Sequence, residues 1–348
     1  MKAAVYEGIR DIRVQTVPDP EVTPDDIVLR IKACGICGSD LHSYTTGAFV
    51  QPGQVMGHEF SGEVVEVGSN VSDIAVGDRV TAMPFNACYN CPACLRGDSH
   101  LCYNTAGHAI AYGLPGGFAE YLRLPCATLG RNAFTLPETL DFVAGATVEP
   151  LAVAVHAVSV AQPELGANVV VLGAGLIGQS VIQVLKARGV GTIVVAELSE
   201  KRALLATRSG ADVVVNPAQE NVIERIGAVV GFGPGRRGAA ADVVFDCAGV
   251  PAAFTTALRL LRPGGTLAIT ALYEEYVQFS PSRLVWGEVK LVGTFGYRNE
   301  FPQTIELLRS GKVHLTSLVT DFFSLAEINA GFQRQLAKDQ AMKVMIQP

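Results

Sequence analysis

The chain has 348 residues, 49% of them hydrophobic and 17% charged, with a formal net charge of −6 at pH 7. That length suggests about two domains, and the composition suits buried cores rather than disorder. Acids and bases are mixed along the chain with no basic stripe or tail, which argues against a nucleic acid partner.

Residues 1–7 hold no apolar segment and no cleavage signal, so the expected location is cytoplasmic. The longest apolar run, 142–161, is long enough to span a bilayer, but it carries Glu149, Pro150 and His156. It reads as a buried helix with a functional end rather than a membrane segment. The eight cysteines of a chain this long are not a disulfide framework, and without an export signal they are expected to stay reduced. Their clustering points to metal.

In chain order, residues 12–17 and 27–31 alternate apolar runs with Pro and Asp turns, as antiparallel strands do. The Val-rich, Gly-bounded runs 61–67 and 77–82 continue the pattern and suit a small Greek-key barrel. Among these strands lies Cys37-Gly38-Ser39-Asp40-Leu41-His42, followed after a loop by Gly57-His58-Glu59. A thiol, an imidazole and a carboxylate brought together by a chain reversal form a three-ligand zinc site with one position open for chemistry.

Cys88, Cys91, Cys94 and Cys102 follow, with two, two and seven residues between them. Four thiolates at such spacing converge on one tetrahedral ion and fill its shell, so this is expected to be a structural zinc site. Its formal charge of about −2 calls for neutralisation by loop N–H groups or Arg96.

After Glu149-Pro150-Leu151 an apolar helical stretch leads to Val169-Val170-Val171-Leu172 and then Gly173-Ala174-Gly175-Leu176-Ile177-Gly178. A GxGxxG that directly follows a β-branched run and opens an apolar helix is in the context a dinucleotide fingerprint requires. Gly173 permits the turn, Gly175 lets backbone approach a pyrophosphate, and Gly178 allows close helix packing. Glu197 ends the next strand at about the 20-residue distance expected for a carboxylate on the adenosine ribose. It favours NAD over NADP, while Lys201 and Arg202 add positive charge one turn later. The expected cofactor-binding residues are therefore Gly173, Gly175, Leu176, Ile177, Gly178, Glu197 and Arg202.

Further βα units at 212–216, 242–248 and 266–271 make a doubly wound parallel sheet. Gly231-Phe232-Gly233-Pro234-Gly235 lacks a following Lys-Ser/Thr and reads as a flexible surface loop. Residues 290–295 read as a strand, 301–310 as a helix, and 343–346 as a strand returning to the N-terminal domain. The expected fold is α/β: a β-rich, zinc-binding catalytic domain from residues 1–151 and 288–348, with a Rossmann cofactor domain, 152–287, inserted in it.

Together these motifs resemble the zinc-dependent medium-chain alcohol dehydrogenases over essentially the whole chain, and within them the polyol and 2,3-butanediol dehydrogenase branch. The resemblance rests on Gly35 to His42, Gly57-His58-Glu59, the four cysteines, Glu149-Pro150-Leu151 and the glycine loop with Glu197. It implies a GroES-like catalytic domain, two zinc ions per chain, NAD, and oxidation of a secondary alcohol. Cys37 and His58 would hold the catalytic zinc, with Glu59 or Glu149 as the carboxylate partner. Zn²⁺ with one thiolate, a neutral imidazole and one carboxylate is formally neutral, so one glutamate is expected to bind the ion and the other to sit at its water or exchange with it. Asp40 would orient His58. By similarity, Ser39 and His42 would relay the alcohol proton.

One departure bears on substrate. Sorbitol-type enzymes carry arginine before the tyrosine in the segment resembling Phe295-Gly296-Tyr297-Arg298-Asn299, whereas Gly296 stands there in this chain. If the stretch is extended, Arg298 shares a face with position 296 and partly substitutes. A small vicinal diol or hydroxyketone, such as 2,3-butanediol and acetoin, is the better expectation. Sorbitol or L-iditol oxidation and L-threonine 3-dehydrogenation are the alternatives, and a non-catalytic dinucleotide-binding protein is the reading from another class. Tyr44, Phe49, Phe85 and Tyr297 are candidate pocket walls. Cys34, Cys126 and Cys247, with His100, His108, His156 and His314, belong to no ligand pattern. Relatives are dimers or tetramers, so a homodimer or homotetramer is expected, with residues 289–295 near the subunit contact.

Overall fold

The structure is a computed structural model that describes residues 1–105, 107–233, 235 and 238–348. The chain divides into two compact units, Met1–Ala152 with Arg298–Pro348, and Val153–Tyr297.

The first unit is β-rich, as its alternating apolar runs require. A seven-stranded sheet runs in the order Val319–Ser324, Lys343–Gln347, Ile27–Gly35, Glu59–Val67, Arg79–Ala82 and Ala133–Thr135, with Tyr121–Leu124 also paired to Ile27–Gly35. One side of Ile27–Gly35 is covered by Glu59–Val67, and its other pairings are shared: Ile27 to Arg30 face Tyr121–Leu124, while Cys34 and Gly35 face Ile346 and Met345. The C-terminal strand thus returns to the N-terminal sheet beside the first ligand loop. A separate hairpin, Lys2–Gly8 with Asp11–Thr16, packs Ala3 to Tyr6 and Ile12 into the same core as Phe60, Phe118 and Phe332.

The apolar run 142–161 is two helices, Phe142–Ala146 and Val148–Ala161, separated at Thr147. The expected single helix is thereby corrected. Asp141 caps the first by accepting from the Ala144 N–H at 2.7 Å, and the Thr147 hydroxyl turns back onto the Ala144 carbonyl at 2.8 Å. No helix among the described residues is long and apolar enough to cross a membrane.

The second unit carries a six-stranded, all-parallel sheet in the order Val213–Val215, Thr192–Ala196, Asn168–Leu172, Ala241–Asp246, Leu261–Ile269, Lys290–Gly293. Its inner strands are almost continuous apolar runs, the pattern of a parallel sheet covered on both faces. Lys290–Gly293 pairs in parallel with residues 266–269. The chain therefore re-enters the first unit at residue 298, ten residues later than the strand pattern had placed the crossing. Pro234 of the 231–235 run lies outside the described residues; within the run, Phe232 forms a β-bridge with Ala239.

Candidate active site

Cys37 stands at the N-cap of helix Gly38–Thr46, immediately beyond strand Ile27–Gly35, with extended backbone at φ −85°, ψ 160°. A reciprocal capping box fixes it: the Asp40 N–H donates to the Cys37 sulfur, and the Cys37 N–H donates to Asp40 Oδ2 at 2.9 Å. Gly57 delivers the second ligand pair from φ +92°, where a Cβ would lie 2.8 Å from the Cys34 sulfur and 2.9 Å from the Phe118 ring. Only glycine makes that turn, and it aims His58 and Glu59 at Cys37.

The donor atoms of Cys37, His58 and Glu59 lie within 4.8 Å of one another. His58 and Glu59 are buried. Asp40 Oδ1 faces His58 Nδ1 at 3.6 Å, which orients that edge of the ring toward the carboxylate and leaves Nε2 for an ion. Glu59 is ion-paired with Lys343, itself 2% exposed, whose ammonium also donates to the Ile36 carbonyl at 2.9 Å. Burial works against that ammonium, and the facing Glu59, with Cys37, outweighs it and raises the Lys343 pKa. Gly35 leaves room for the pair, since a Cβ there would collide with Glu59 Oε2 and Lys343 Cε. A soft thiolate, an imidazole and a carboxylate converging in a desolvated spot suit zinc by donor chemistry. Glu149, on the first turn of Val148–Ala161, is buried and falls outside this trio.

Ser39 and His42 occupy the first two turns of helix Gly38–Thr46. The His42 ring packs against Phe49 with centroids 5.8 Å apart. Ser39 Oγ accepts from the Tyr112 hydroxyl at 2.8 Å, and the Tyr112 ring lies 5.5 Å from the His58 ring. Burial pushes the Tyr112 phenol up to about 12, so it keeps its proton at neutral pH.

The second cluster is local. Cys88, Cys91, Cys94 and Cys102 bring their sulfurs within 4.8 Å of one another, with Cys91–Cys94 at 3.6 Å, Cys91–Cys102 at 3.9 Å and Cys88–Cys102 at 3.5 Å. A tetrahedron with Zn–S bonds of about 2.3 Å has edges of about 3.8 Å, so the thiols fit that ion. The N–H groups of Cys88, Asn104 and Tyr103 point at the sulfurs from 3.3 to 3.5 Å, supplying the expected neutralisation. Arg96 does not supply it; its guanidinium faces Asp98 at 3.6 Å. The Asn90 N–H holds the Cys88 thiol down at about 6, while burial pushes Cys94 up to about 12.

In the second unit, helix Leu176–Arg188 starts from Gly175 as its N-cap, with Gly173 at φ +87°. A Cβ on Gly178 would strike the Gly173 carbonyl, and nothing approaches a Cβ on Gly175 closer than the Arg202 guanidinium at 3.9 Å. The loop is therefore tight where helix meets strand and open where a pyrophosphate would lie, the fit a dinucleotide needs. Glu197 Oε2 accepts from the Ala174 N–H at 2.6 Å and Oε1 from the Ser199 N–H at 2.8 Å. The carboxylate is thus fastened to the glycine loop before any ligand arrives. Arg202 Nε is buried without a hydrogen-bond partner among the described residues.

Several expectations need correction. Gly296 has φ +57°, so the stretch around it is not extended, and Arg298 is engaged by Asp98 at 2.9 Å. Arg298 is a clasp on the cysteine lobe and does not stand in for the missing arginine. Tyr44 is 1% exposed, packed on Phe332 and donating to the Arg10 carbonyl at 3.2 Å, and is a core residue; Tyr297 is equally buried. Burial drives the Cys34 thiol well above the ordinary range and Cys247 to about 12, which leaves both inert. Two residues beside the trio escaped the sequence reading. Lys343 carried one signal, a lysine opening an otherwise apolar terminal strand; Tyr112 carried none beyond lying between Ala111 and Gly113.

Comparison with known proteins adds to this geometry. The family profile of the alcohol dehydrogenase GroES-like domain matches residues 23–133, and that of the zinc-binding dehydrogenases matches residues 177–310. Sorbitol dehydrogenase of Bacillus subtilis (strain 168) is 34% identical, covering 100% of this chain and 97% of its own. Among solved structures, 2R,3R-butanediol dehydrogenase from Bacillus subtilis is 32% identical with a TM-score of 0.90, covering 100% of this chain and 99% of its own. A chain from Sinorhizobium meliloti 1021, described as a zinc-binding dehydrogenase and bound to NADP, is 34% identical with a TM-score of 0.90 and the same coverages.

Proposed function

The chain belongs to the zinc-type medium-chain alcohol dehydrogenase family, an oxidoreductase family built on GroES-like and Rossmann domains, and on that footing we propose that it oxidises a small vicinal diol of the 2,3-butanediol and acetoin type with NAD. The reading includes two zinc ions per chain, one at Cys37 and His58 and one at the four cysteines. The observation that carries it is the trio of Cys37, His58 and Glu59 with Ser39 beside it: donors for one ion, and a hydroxyl at hand for the proton an alcohol must lose.

When bound, zinc supplies Lewis acidity toward the alcohol oxygen and the dinucleotide supplies the hydride acceptor. Cys37 and His58 would hold the ion, and Asp40, facing Nδ1, fixes how the imidazole is turned. Ser39 accepts the alcohol proton and passes its own toward His42. Lys343 bears on which glutamate is the third ligand. Paired with Lys343, Glu59 adds no net charge, so with Glu149 as ligand the ion, one thiolate and one carboxylate would be formally neutral, whereas the donors the fold brings together are those of Cys37, His58 and Glu59. Glu59, held by Lys343, would then be the alternative carboxylate for the ion.

Glu197 supports NAD, because its carboxylate would repel a 2′-phosphate at the adenosine ribose. Gly296 supports a small substrate, because no arginine reaches out to a long polyol from that position and Arg298 is committed to Asp98. A homodimer or homotetramer is supported by one edge of the second unit: strand Lys290–Gly293 ends the sheet, helix Ser282–Gly287 buries no residue, and Trp286 is 85% exposed.

The test is NADH formation by zinc-loaded enzyme on both 2,3-butanediol stereoisomers, 1,2-propanediol, sorbitol, xylitol, threonine and simple secondary alcohols, repeated with NADP, with zinc counted on the same sample. Two zinc ions and preference for small diols are expected. Preference for sorbitol or threonine sinks the diol reading, and two zinc ions with no turnover on any alcohol sink the enzymatic one.

A further inference from the structure

We infer that Tyr112 is the group that recognises the second oxygen of a vicinal diol or α-hydroxyketone, and so separates such substrates from simple secondary alcohols. The inference rests on the dehydrogenase reading above and deepens it at the same site.

The phenol is held in place by an over-determined turn. Tyr112 sits between the short strands Ala109–Ile110 and Gly113–Leu114. Its neighbours Ala111 and Gly113 both take left-handed backbone, at φ +69° and +112°. For alanine that conformation is strained and persists only where the surroundings enforce it. They do: Ala111 N–H donates to the Leu114 carbonyl at 2.9 Å, Tyr112 N–H to Ala109 at 3.0 Å, and Ile110 N–H to Pro84 at 2.9 Å. The turn presents Tyr112 toward the trio, its hydroxyl on Ser39 Oγ at 2.8 Å and its ring beside His58. Tyr112 is mostly but not wholly buried.

The chemistry follows from that placement. A reacting hydroxyl must touch Ser39 to give up its proton. The two oxygens of a gauche vicinal diol stand about one hydrogen-bond length apart, and so do Ser39 Oγ and the Tyr112 hydroxyl. With one substrate oxygen on Ser39, the neighbouring oxygen falls beside the phenol. Turned from Ser39 Oγ, the one Tyr112 O–H can donate to that oxygen whether it is a hydroxyl or the carbonyl of the product. A mono-alcohol offers nothing there, and a site built to hydrogen-bond an oxygen discriminates against the analogue that lacks it. The ring face beside His58 suits a short apolar substituent.

The experiment compares 2,3-butanediol with 2-butanol, which differ by one hydroxyl, on zinc-loaded wild-type enzyme and Tyr112→Phe. Phenylalanine keeps the ring on His58 and removes only the hydroxyl. The first readout is the ratio of kcat/KM for diol over mono-alcohol. The second is the ratio of their dissociation constants from the enzyme–NADH complex, read by NADH fluorescence, which needs no turnover. Wild type is expected to favour the diol in both, and Tyr112→Phe to shrink each ratio by about 10–100-fold, in the range of a lost hydrogen bond to a buried partner. Equal losses on both alcohols overturn the inference, because the phenol then serves Ser39 alone. So does wild-type enzyme that oxidises 2-butanol with no preference for the diol, an outcome that leaves the dehydrogenase reading intact. No turnover of any alcohol overturns that reading and this inference with it.

Discussion

Among the described residues, the first unit brings together two clusters of side chains that could hold a metal ion, and they are made in opposite ways. The four-cysteine lobe takes all its donors from one short segment, and beyond the sulfurs its own core holds little more than Ala87 and Ala93. The trio takes its donors from a helix N-cap and a strand start, and is positioned by Gly35, Asp40 and Gly57 beside those donors and by Lys343 from the C-terminal strand. In the lobe an ion would be the core. In the trio the fold has arranged the donors already, and an ion adds chemistry. The lobe therefore depends on one short segment, whereas the trio is supported by several elements of the first unit.

Three experiments break or sharpen that contrast. The largest effect is expected from emptying the lobe, by chelation or by Cys91→Ser. Structural zinc contributes on the order of 10 kcal/mol to small domains of this kind, so amide exchange across residues 88–105 should rise to near-unprotected rates while the sheet strands stay protected. Protection retained in a zinc-free lobe would show that the segment folds without an ion. Next, Lys343→Met leaves Glu59 buried and unpaired, which costs about 3–5 kcal/mol of global stability. Chemical denaturation should show that loss with the lobe's exchange unchanged, and a midpoint at the wild-type value would show that Glu59 finds another counter-charge. The smallest effect is Asp40→Asn, which weakens the orientation of His58 and should lower zinc affinity at the trio by about 10–100-fold. Competition with a chromogenic chelator reads it, and an equal loss of the lobe's zinc would show that the two sites are not independent.

What the sequence revealed follows the same division. Donors close together in the chain were legible: the cysteine spacing, the 37–42 loop, Gly57-His58-Glu59 and the glycine fingerprint each carry their geometry in a few residues. What closes over long separations was not. Lys343 reaches the Ile36 carbonyl across 307 residues and Tyr112 reaches Ser39 across 73. No local periodicity encodes such contacts; they exist only once the sheet order is set. Arg298 misled for a related reason, since its extended geometry depended on Gly296, and a glycine free to take φ +57° turned it toward Asp98. The break at Thr147 was hidden by a uniformly apolar run, in which a hydroxyl bonding back to Ala144 leaves no mark on the hydrophobic pattern.

The return of the last strand also orders events during synthesis. Strand Lys343–Gln347 pairs with Cys34 and Gly35 and brings the ammonium that neutralises Glu59. At about 5–20 residues per second, the ribosome delivers that strand tens of seconds after the first ligand loop has emerged. Through that interval the nascent N-terminal sheet has an unpaired flank and a carboxylate without its counter-charge, while the second unit, contiguous in sequence, can fold completely. The cofactor half is thus ready before the catalytic half can close, and the arrival of strand Lys343–Gln347 decides when the trio is assembled.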